Sequence, residues 1–237
     1  MYFTLNMMIE RLSWDSNFFK LEIANAKIDN LDDYMIVKSG FAKSKYDLMY
    51  LFCPESTSPE TLEIIKSNEK LHDTKLTFTK KKFATQEVSK DIKSVIQLSP
   101  ALEDLAIQSG AYSRFNRDKI LREKFPLLYK TWIAKSVNRD IADIVFGHYR
   151  SDGKLSGMVT LKAENDWSKI GLISVNKLDW GLGIGKKLIR QAENWCITKG
   201  RNELIVDTQE VNTKASPFYR ACGFELLNKI HIFHIWK

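Results

Sequence analysis

Along this chain the apolar positions change their period, and each change marks an element. Residues 21–28 and 47–52 are short apolar runs of strand length, separated by polar chain. Ser58-Pro59-Glu60 then gives a helix start, with Ser58 placed to cap and Pro59 in the first turn. Residues 75–83 read as another strand and give way to the polar stretch 84–90. We place a boundary there, so that residues 1–86 form a small α/β lobe and residues 87–237 a second, larger domain.

In the second domain Ser99-Pro100, with Glu103 behind it, repeats the capping signal, and a longer helical segment follows over residues 116–138, where Pro126 is expected to interrupt it. Residues 141–149 and 155–163 flank Ser151-Asp152-Gly153-Lys154 and predict a hairpin, with a third strand at 170–175. Ile184, Leu188, Ala192, Trp195 and Cys196 recur at helical spacing, and Gly200 is placed to end that helix. A strand at 204–206, a helix from Asn212 to about Cys222 and a β-rich tail at 224–236 complete the chain. The order predicts an α/β (α+β) fold, a mixed sheet with helices packed on it.

Composition narrows the class. Hydrophobic residues at 44% supply a core, while 11 glycines and 5 prolines are too few for a fibrous or disordered chain. No apolar run reaches the ~18 residues of a membrane span, and the start MYFTLNMMIE lacks the basic and apolar regions of a leader. Three cysteines, Cys53, Cys196 and Cys222, form no CxxC pair and suit a reducing compartment. A cytoplasmic protein without membrane insertion is therefore expected. Of the net charge of +7, none arises in residues 1–90, which hold 13 basic and 13 acidic residues. The basic excess in the remainder suits a phosphate-rich ligand or an ordinary solvated surface. Nucleic acid is not expected, because no basic cluster with interleaved aromatics accompanies the charge.

Trp180-Gly181-Leu182-Gly183-Ile184-Gly185-Lys186-Lys187 is the most informative stretch. Glycines at alternate positions permit a tight turn, and the helix that begins there points unpaired N–H groups at whatever lies in front of it, an arrangement suited to a diphosphate. Lys186 and Lys187 either supplement the amides or are solvated. A dinucleotide fingerprint is disfavoured because G-x-G-x-x-G requires glycine where Lys186 stands, and because five residues separate the strand from the glycines.

IGLISV, GLGIGKKLI and VDTQEVNTKASPFYRACGF together resemble the acetyl-CoA-binding core of the GNAT N-acetyltransferases. Gly183 and Gly185 fit the family's [QR]-x-x-G-x-[GA] loop, with Trp180 in place of its polar first residue. Asn212-x-x-Ala215-x-x-x-Tyr219-x-x-x-Gly223-Phe224 is the more specific motif. Residues 12–19, Tyr112-Ser113-Arg114-Phe115 and Thr208-Gln209 resemble the branch that acetylates TDP-fucosamine. The resemblance implies a mixed, mostly antiparallel sheet flanked by helices, with acetyl-CoA as co-substrate and no metal. A nucleotide-linked amino sugar is the acceptor it implies, with a protein N-terminus, a lysine or another small amine as the alternative, and a non-catalytic acyl-CoA-binding module as a further one. A homodimer is left open.

By the same resemblance Ile173, Val175, Gly181, Leu182, Gly183, Ile184, Gly185, Lys186 and Asn212 hold the cofactor, and Tyr219 is the general acid for the coenzyme A thiolate. A tyrosine of ordinary pKa, ~10, is protonated at neutral pH as a donor must be. Asn212 also suits a cap of the helix that carries Tyr219, and Pro217 is unexpected inside that helix. Arg114 is the candidate for the acceptor, since its planar fork grips phosphate oxygens in pairs. The residues do not single out a base; Glu164 and Asp166 at a strand end are candidates, as is water. His231 and His234 differ by three positions in a β-rich tail and face opposite ways, and Cys222 reads as a packing residue.

Overall fold

A computed structural model describes residues 9–237; the opening residues 1–8, where no leader is expected, lie outside the described residues. The chain divides into two compact units, one of Met1–Leu76, Gln209–Val211 and Asn228–Lys237, the other of Thr77–Thr208 and Asn212–Leu227.

The first unit is built on a parallel pair, β2 (Ile23–Lys27) with β3 (Leu48–Pro54), joined through helix α2 (Leu31–Lys43). β1 (Glu10–Arg11) runs antiparallel to β2, and the end of β10 (Glu225–Trp236) runs antiparallel to β3. Helix α1 (Ser13–Phe19) stacks Trp14 on Phe18 at 5.0 Å. Helix α3 (Pro59–Asn68) starts as its sequence requires, with the Thr61 N–H donating to the Ser58 hydroxyl at 3.2 Å and Pro59 where no N–H is needed. Apolar residues from β2, α2, β3, α3 and β10, among them Tyr34, Val37, Leu51, Ile65 and Phe233, form one buried cluster.

Strand β4 (Lys70–Lys81) gives residues 70–76 to the first unit and 77–81 to the second. In the second unit it stands beside β9 (Glu203–Gln209), followed in order by β8 (Ser168–Val175), β7 (Leu155–Ala163), β6 (Ile144–Tyr149) and β5 (Ile92–Ser94). Strands β5 to β8 pair antiparallel and β8 pairs parallel with β9, so the sheet is mixed and mostly antiparallel, as expected. Helices α4 (Pro100–Ser109) and α6 (Phe125–Val137) pack on each other, and α4 lies against β7 and β8. The opposite face carries α7 (Ile184–Thr198), since a side chain added at Gly157 on β7 would meet Ile184 and Leu188.

Two prolines behave differently from expectation. Residues 114–137 are not one helix broken at Pro126 but a short helix α5 (Arg114–Arg117), a 3-10 turn (Leu121–Lys124) and α6, in whose first turn Pro126 sits. The last helix, α8 (Ala215–Ala221), begins three residues after Asn212, which places Pro217 in its first turn as well. An N–H there has no intrahelical acceptor, so neither proline costs a hydrogen bond. Gly200 ends α7 as its sequence predicts, at φ 68°, with its N–H donating to the Ile197 carbonyl at 2.8 Å.

The segment around residue 86 is fixed to α7. Gln86 exchanges backbone hydrogen bonds with the Asn194 amide, at 2.9 and 2.7 Å, and donates from Nε2 to Glu193 at 2.8 Å. Glu193 is fully buried, and its other oxygen takes Lys80 Nζ at 2.6 Å. Removing one partner of such a pair strands the other charge. Glu193→Ala is therefore expected to destabilise the protein by about 3–5 kcal/mol, read from denaturant unfolding, whereas an exposed pair such as Lys66 with Glu63 should contribute under ~1 kcal/mol.

Candidate active site

Strands β8 and β9 are paired over only part of their length. Residues 168–170 align with 204–206, and past Ile170 and Val206 the ladder stops although β8 runs on to Val175 and β9 to Gln209. The cause lies on the other edge of β8. There Val159 faces Ile173 and Leu161 faces Ile170, so Gly171 and Leu172 together oppose Thr160 in a β-bulge, and the Leu172 N–H donates to the Thr160 hydroxyl at 2.8 Å. A bulge bends its strand and increases the twist, which carries the rest of β8 away from β9.

The phase of β8 follows from its end. The Asn176 N–H donates to the Ser156 carbonyl at 2.7 Å, which makes 176 and 174 the residues that bond β7. In an antiparallel pair the alternate residues point their N–H and C=O groups the other way. Ile173 and Val175 accordingly aim their backbone polar groups into the gap. The Val175 carbonyl is already engaged there, taking Gln108 Nε2 and Trp180 Nε1, each at 2.7 Å. Gln108 also donates to the Ser174 hydroxyl at 2.8 Å, so α4 holds the end of β8.

The glycine loop leaves β8 through a 3-10 turn (Lys177–Asp179), in which the Asn176 side chain accepts from the Leu178 N–H at 3.0 Å. Arg150 grips Asp179 with Nη2 at 2.7 Å and Nε at 3.1 Å. Trp180, in the position where a polar residue was expected, thus supplies a side-chain hydrogen bond of its own that closes the loop onto Val175, and Lys214 Nζ rests 4.2 Å from its ring centre. Gly183 precedes α7 at φ 75°, a left-handed conformation that a side chain would strain, and no side chain caps the helix. The first N–H groups of α7, those of Ile184, Gly185 and Lys186, are thereby presented forward. Ile184 itself is buried, so only its backbone faces a ligand, whereas Leu182 is exposed. A Cβ at Gly185 would lie 3.0 Å from the Phe218 ring and 3.9 Å from Val175, which brings the loop, the end of β8 and α8 to one place. Lys187 is drawn to Asp91 at 3.3 Å, while Lys186 makes no ion pair among the described residues.

Tyr219 stands on α8 inside an aromatic shell, its ring 5.6 Å from Phe78, 5.3 Å from Phe218 and 5.7 Å from Phe224. Burial, then the nearby Cys222 and the Asp207 charge, push its hydroxyl well above the ordinary tyrosine range. Asn212 does not cap the helix: its carbonyl accepts from the Ala215 N–H at 3.0 Å, and the capping position is Lys214. The polar turn at 212–214 delays the helix, so the side chain that the sequence placed at the cap lies outside it. Arg114 opens the short α5, with its guanidinium 4.3 Å over the ring of Phe115. Cys222 is half-buried and its thiol is pushed up by burial, which keeps it from acting as a thiolate. Gln108 was not found by sequence reasoning, because it belongs to no motif and acts on a strand distant in the chain; Asp207 lies inside the VDTQ stretch, but its neighbours in sequence give it no role.

The family model "Acetyltransferase (GNAT) family" matches residues 110–224, which include the bulge, the glycine loop and Tyr219. Residues 110–224 form a GNAT acetyltransferase domain. Over 125 residues it is 30% identical to the "dTDP-fucosamine acetyltransferase" of Escherichia coli O6:H1, a match that takes in 52% of this chain and 53% of that one. It thus spans about half the length of the curated relative it matches. Among solved structures, a conserved Staphylococcus epidermidis protein of unknown function is similar at a TM-score of 0.63 and 15% identity, over 91% of this chain and 85% of that one. A GCN5-related N-acetyltransferase from Kribbella flavida is similar at 0.53 and 13% identity, over 90% and 80%. At these identities the structures establish the GNAT fold alone. No helix among the described residues is long and apolar enough to cross a membrane.

The Tyr219 environment has a measurable consequence. An unfolded tyrosine ionises near pH ~10 and Tyr219 ionises higher when folded, so the stability it contributes is complete below ~10 and is lost as the pH rises further. Tyr219→Phe should leave unchanged the number of phenols that titrate near pH ~10 in the folded protein. It should also make alkaline unfolding less steep, followed by absorbance and circular dichroism.

Proposed function

We propose that this protein is an acetyl-CoA-dependent N-acetyltransferase whose acceptor is the amine of a nucleotide-linked amino sugar. The reading rests on one observation above the rest: the gap between β8 and β9, lined by backbone groups of Ile173 and Val175, opens beside the uncapped start of α7 and the Tyr219 helix. The name of the 30% identical relative supports the acceptor class.

The residues present fit acetyl-CoA. Amides of residues 183–186 at the start of α7 suit its diphosphate, with Lys186 available beside them. Polar backbone groups of Ile173 and Val175 suit the amide-bearing pantetheine arm and the thioester carbonyl, and Asn212 lies at the approach to α8. Arg114 is assigned to the acceptor side.

Acetyl-CoA supplies an acetyl group on a thioester. The uncharged amine forms a C–N bond to the carbonyl carbon, and amides in the gap stabilise the oxygen that becomes negative. As the C–S bond breaks, Tyr219 gives its proton to the departing sulfur, and the proton released by the amine leaves through water. The raised Tyr219 hydroxyl keeps that proton in place at working pH, and the phenolate is restored from solvent after release.

Two substitutions test this reading. Gly183→Val imposes a branched side chain at φ 75° in front of the helix amides. Acetyl-CoA affinity, measured by calorimetry, should fall at least about tenfold, while the circular dichroism spectrum is kept; unchanged affinity would refute the loop's role. Tyr219→Phe retains the ring packing and removes only the acid, so kcat should fall about a hundredfold, the lower end of general-acid contributions, with little change in acetyl-CoA affinity. Turnover near that of the wild type with chemistry rate-limiting would rule out the acid.

A further inference from the structure

The face of the sheet opposite α7 carries charge that the steps above do not use. Asp207 is the first residue of β9 beyond its last pair with β8, at the point where the two strands part. Its carboxylate accepts from the Thr77 hydroxyl at 2.6 Å and meets Lys169 Nζ at 2.8 Å. Lys169 in turn stands directly across the β7–β8 ladder from Lys162. Like charges placed opposite each other on one face of a sheet repel, and this pair lies in the open, with Lys169 40% and Lys162 48% exposed. Lys162 reaches an acid, Glu164, only at 3.9 Å.

Thr160 and Gly171 lie beside these charges. On β7, Gly157, Val159 and Leu161 turn toward α7, and Thr160 and Lys162 turn the other way. At the bulge Gly171 is exposed on that same side, where an added Cβ would lie 2.8 Å from the Thr160 hydroxyl and 4.0 Å from Trp132 Nε1 of α6. With its diphosphate held at the start of α7, acetyl-CoA would send its pantetheine arm into the gap from the α7 face, which leaves this face for the acceptor.

We propose that this surface is the acceptor subsite, in which Asp207 receives the ammonium form of the acceptor amine and Lys162 and Lys169 receive its diphosphate. Lys169 exchanges Asp207 for a phosphate oxygen as the acceptor binds, which relieves the opposition of the two lysines and releases the carboxylate to the ammonium at the mouth of the gap, where the ammonium gives one proton to water before the uncharged amine attacks. A zwitterionic acceptor, with an amine at one end of a sugar and a diphosphate at the other, matches the order of charges across the three strands, Asp207 on β9, Lys169 on β8 and Lys162 on β7. The assignment rests on the nucleotide-sugar reading above.

Steady-state kinetics with acetyl-CoA and two acceptors, a dTDP-linked amino sugar and the same sugar without its nucleotide, separate the possibilities. Lys162→Met with Lys169→Met should raise KM for the nucleotide sugar about tenfold or more and leave KM for the free sugar and for acetyl-CoA unchanged, while the two arginine substitutions restore it. Asp207→Asn should raise KM for both acceptors about tenfold, with acetyl-CoA again unaffected. Melting temperatures confirm that the variants are folded. Unchanged acceptor KM values in folded variants, beside wild-type turnover of the nucleotide sugar, would overturn this inference and leave the function standing. A wild-type protein that acetylates other amines but not nucleotide sugars would overturn the reading and this assignment with it.

Discussion

A strand that leaves its neighbour exposes hydrogen-bonding groups that a folded protein ordinarily has to satisfy, and this constraint organises the second unit. The bulge at Gly171 and Leu172 sends β8 away from β9 after Ile170, so that the N–H and C=O of Ile173 and the N–H of Val175 aim into the gap, while the Val175 carbonyl is taken by Gln108 and Trp180. Leaving such groups without partners costs roughly 1–3 kcal/mol each once water is excluded. A ligand with amide groups spaced along an extended chain supplies those partners, as a further strand would. The local loss of pairing is what makes the gap a binding site.

The parts around the gap keep it open and in place. Gln108, reaching over from α4, and Trp180, folding back from the glycine loop, both donate to the Val175 carbonyl and hold the tip of β8. Trp180 therefore does more than occupy the position of a polar family residue: its indole N–H ties the loop to the strand, and its exposed ring carries Lys214. Arg150 and Asp179 brace the same turn from the β6–β7 hairpin. With the loop fixed in this way, the glycines at 181 and 183 can hold positive φ angles and deliver the start of α7 to one point beside the gap.

Electrostatics differ on the two sides. Toward α7, charge is buried and satisfied: Glu193 is enclosed by Lys80 and Gln86, and Tyr219 is kept neutral by its apolar shell. On the opposite face Lys162, Lys169 and Asp207 are partly exposed and arranged with like charges adjacent. Buried pairs of the first kind fix a structure, whereas exposed lysines contribute little to stability. Their arrangement is better explained by what approaches them than by what they hold together.

Much of this was legible in the chain because it depends on neighbours in sequence. The hairpin at 144–163, the helix that starts beyond Gly183, its end at Gly200 and the mostly antiparallel sheet follow from periodicity, turn residues and the family motifs. Helix starts were less legible, because a proline reads alike whether it breaks a helix or opens one; Pro126 and Pro217 both proved to lie in first turns, and Asn212 lay short of the helix it was expected to cap. The bulge, the anchoring of Val175 by Gln108, the enclosure of Glu193 and the meeting of Lys162, Lys169 and Asp207 were decided by tertiary structure alone. Each joins residues from separate strands and helices, and it is strand register and burial, which no local stretch of sequence records, that set which side chains meet.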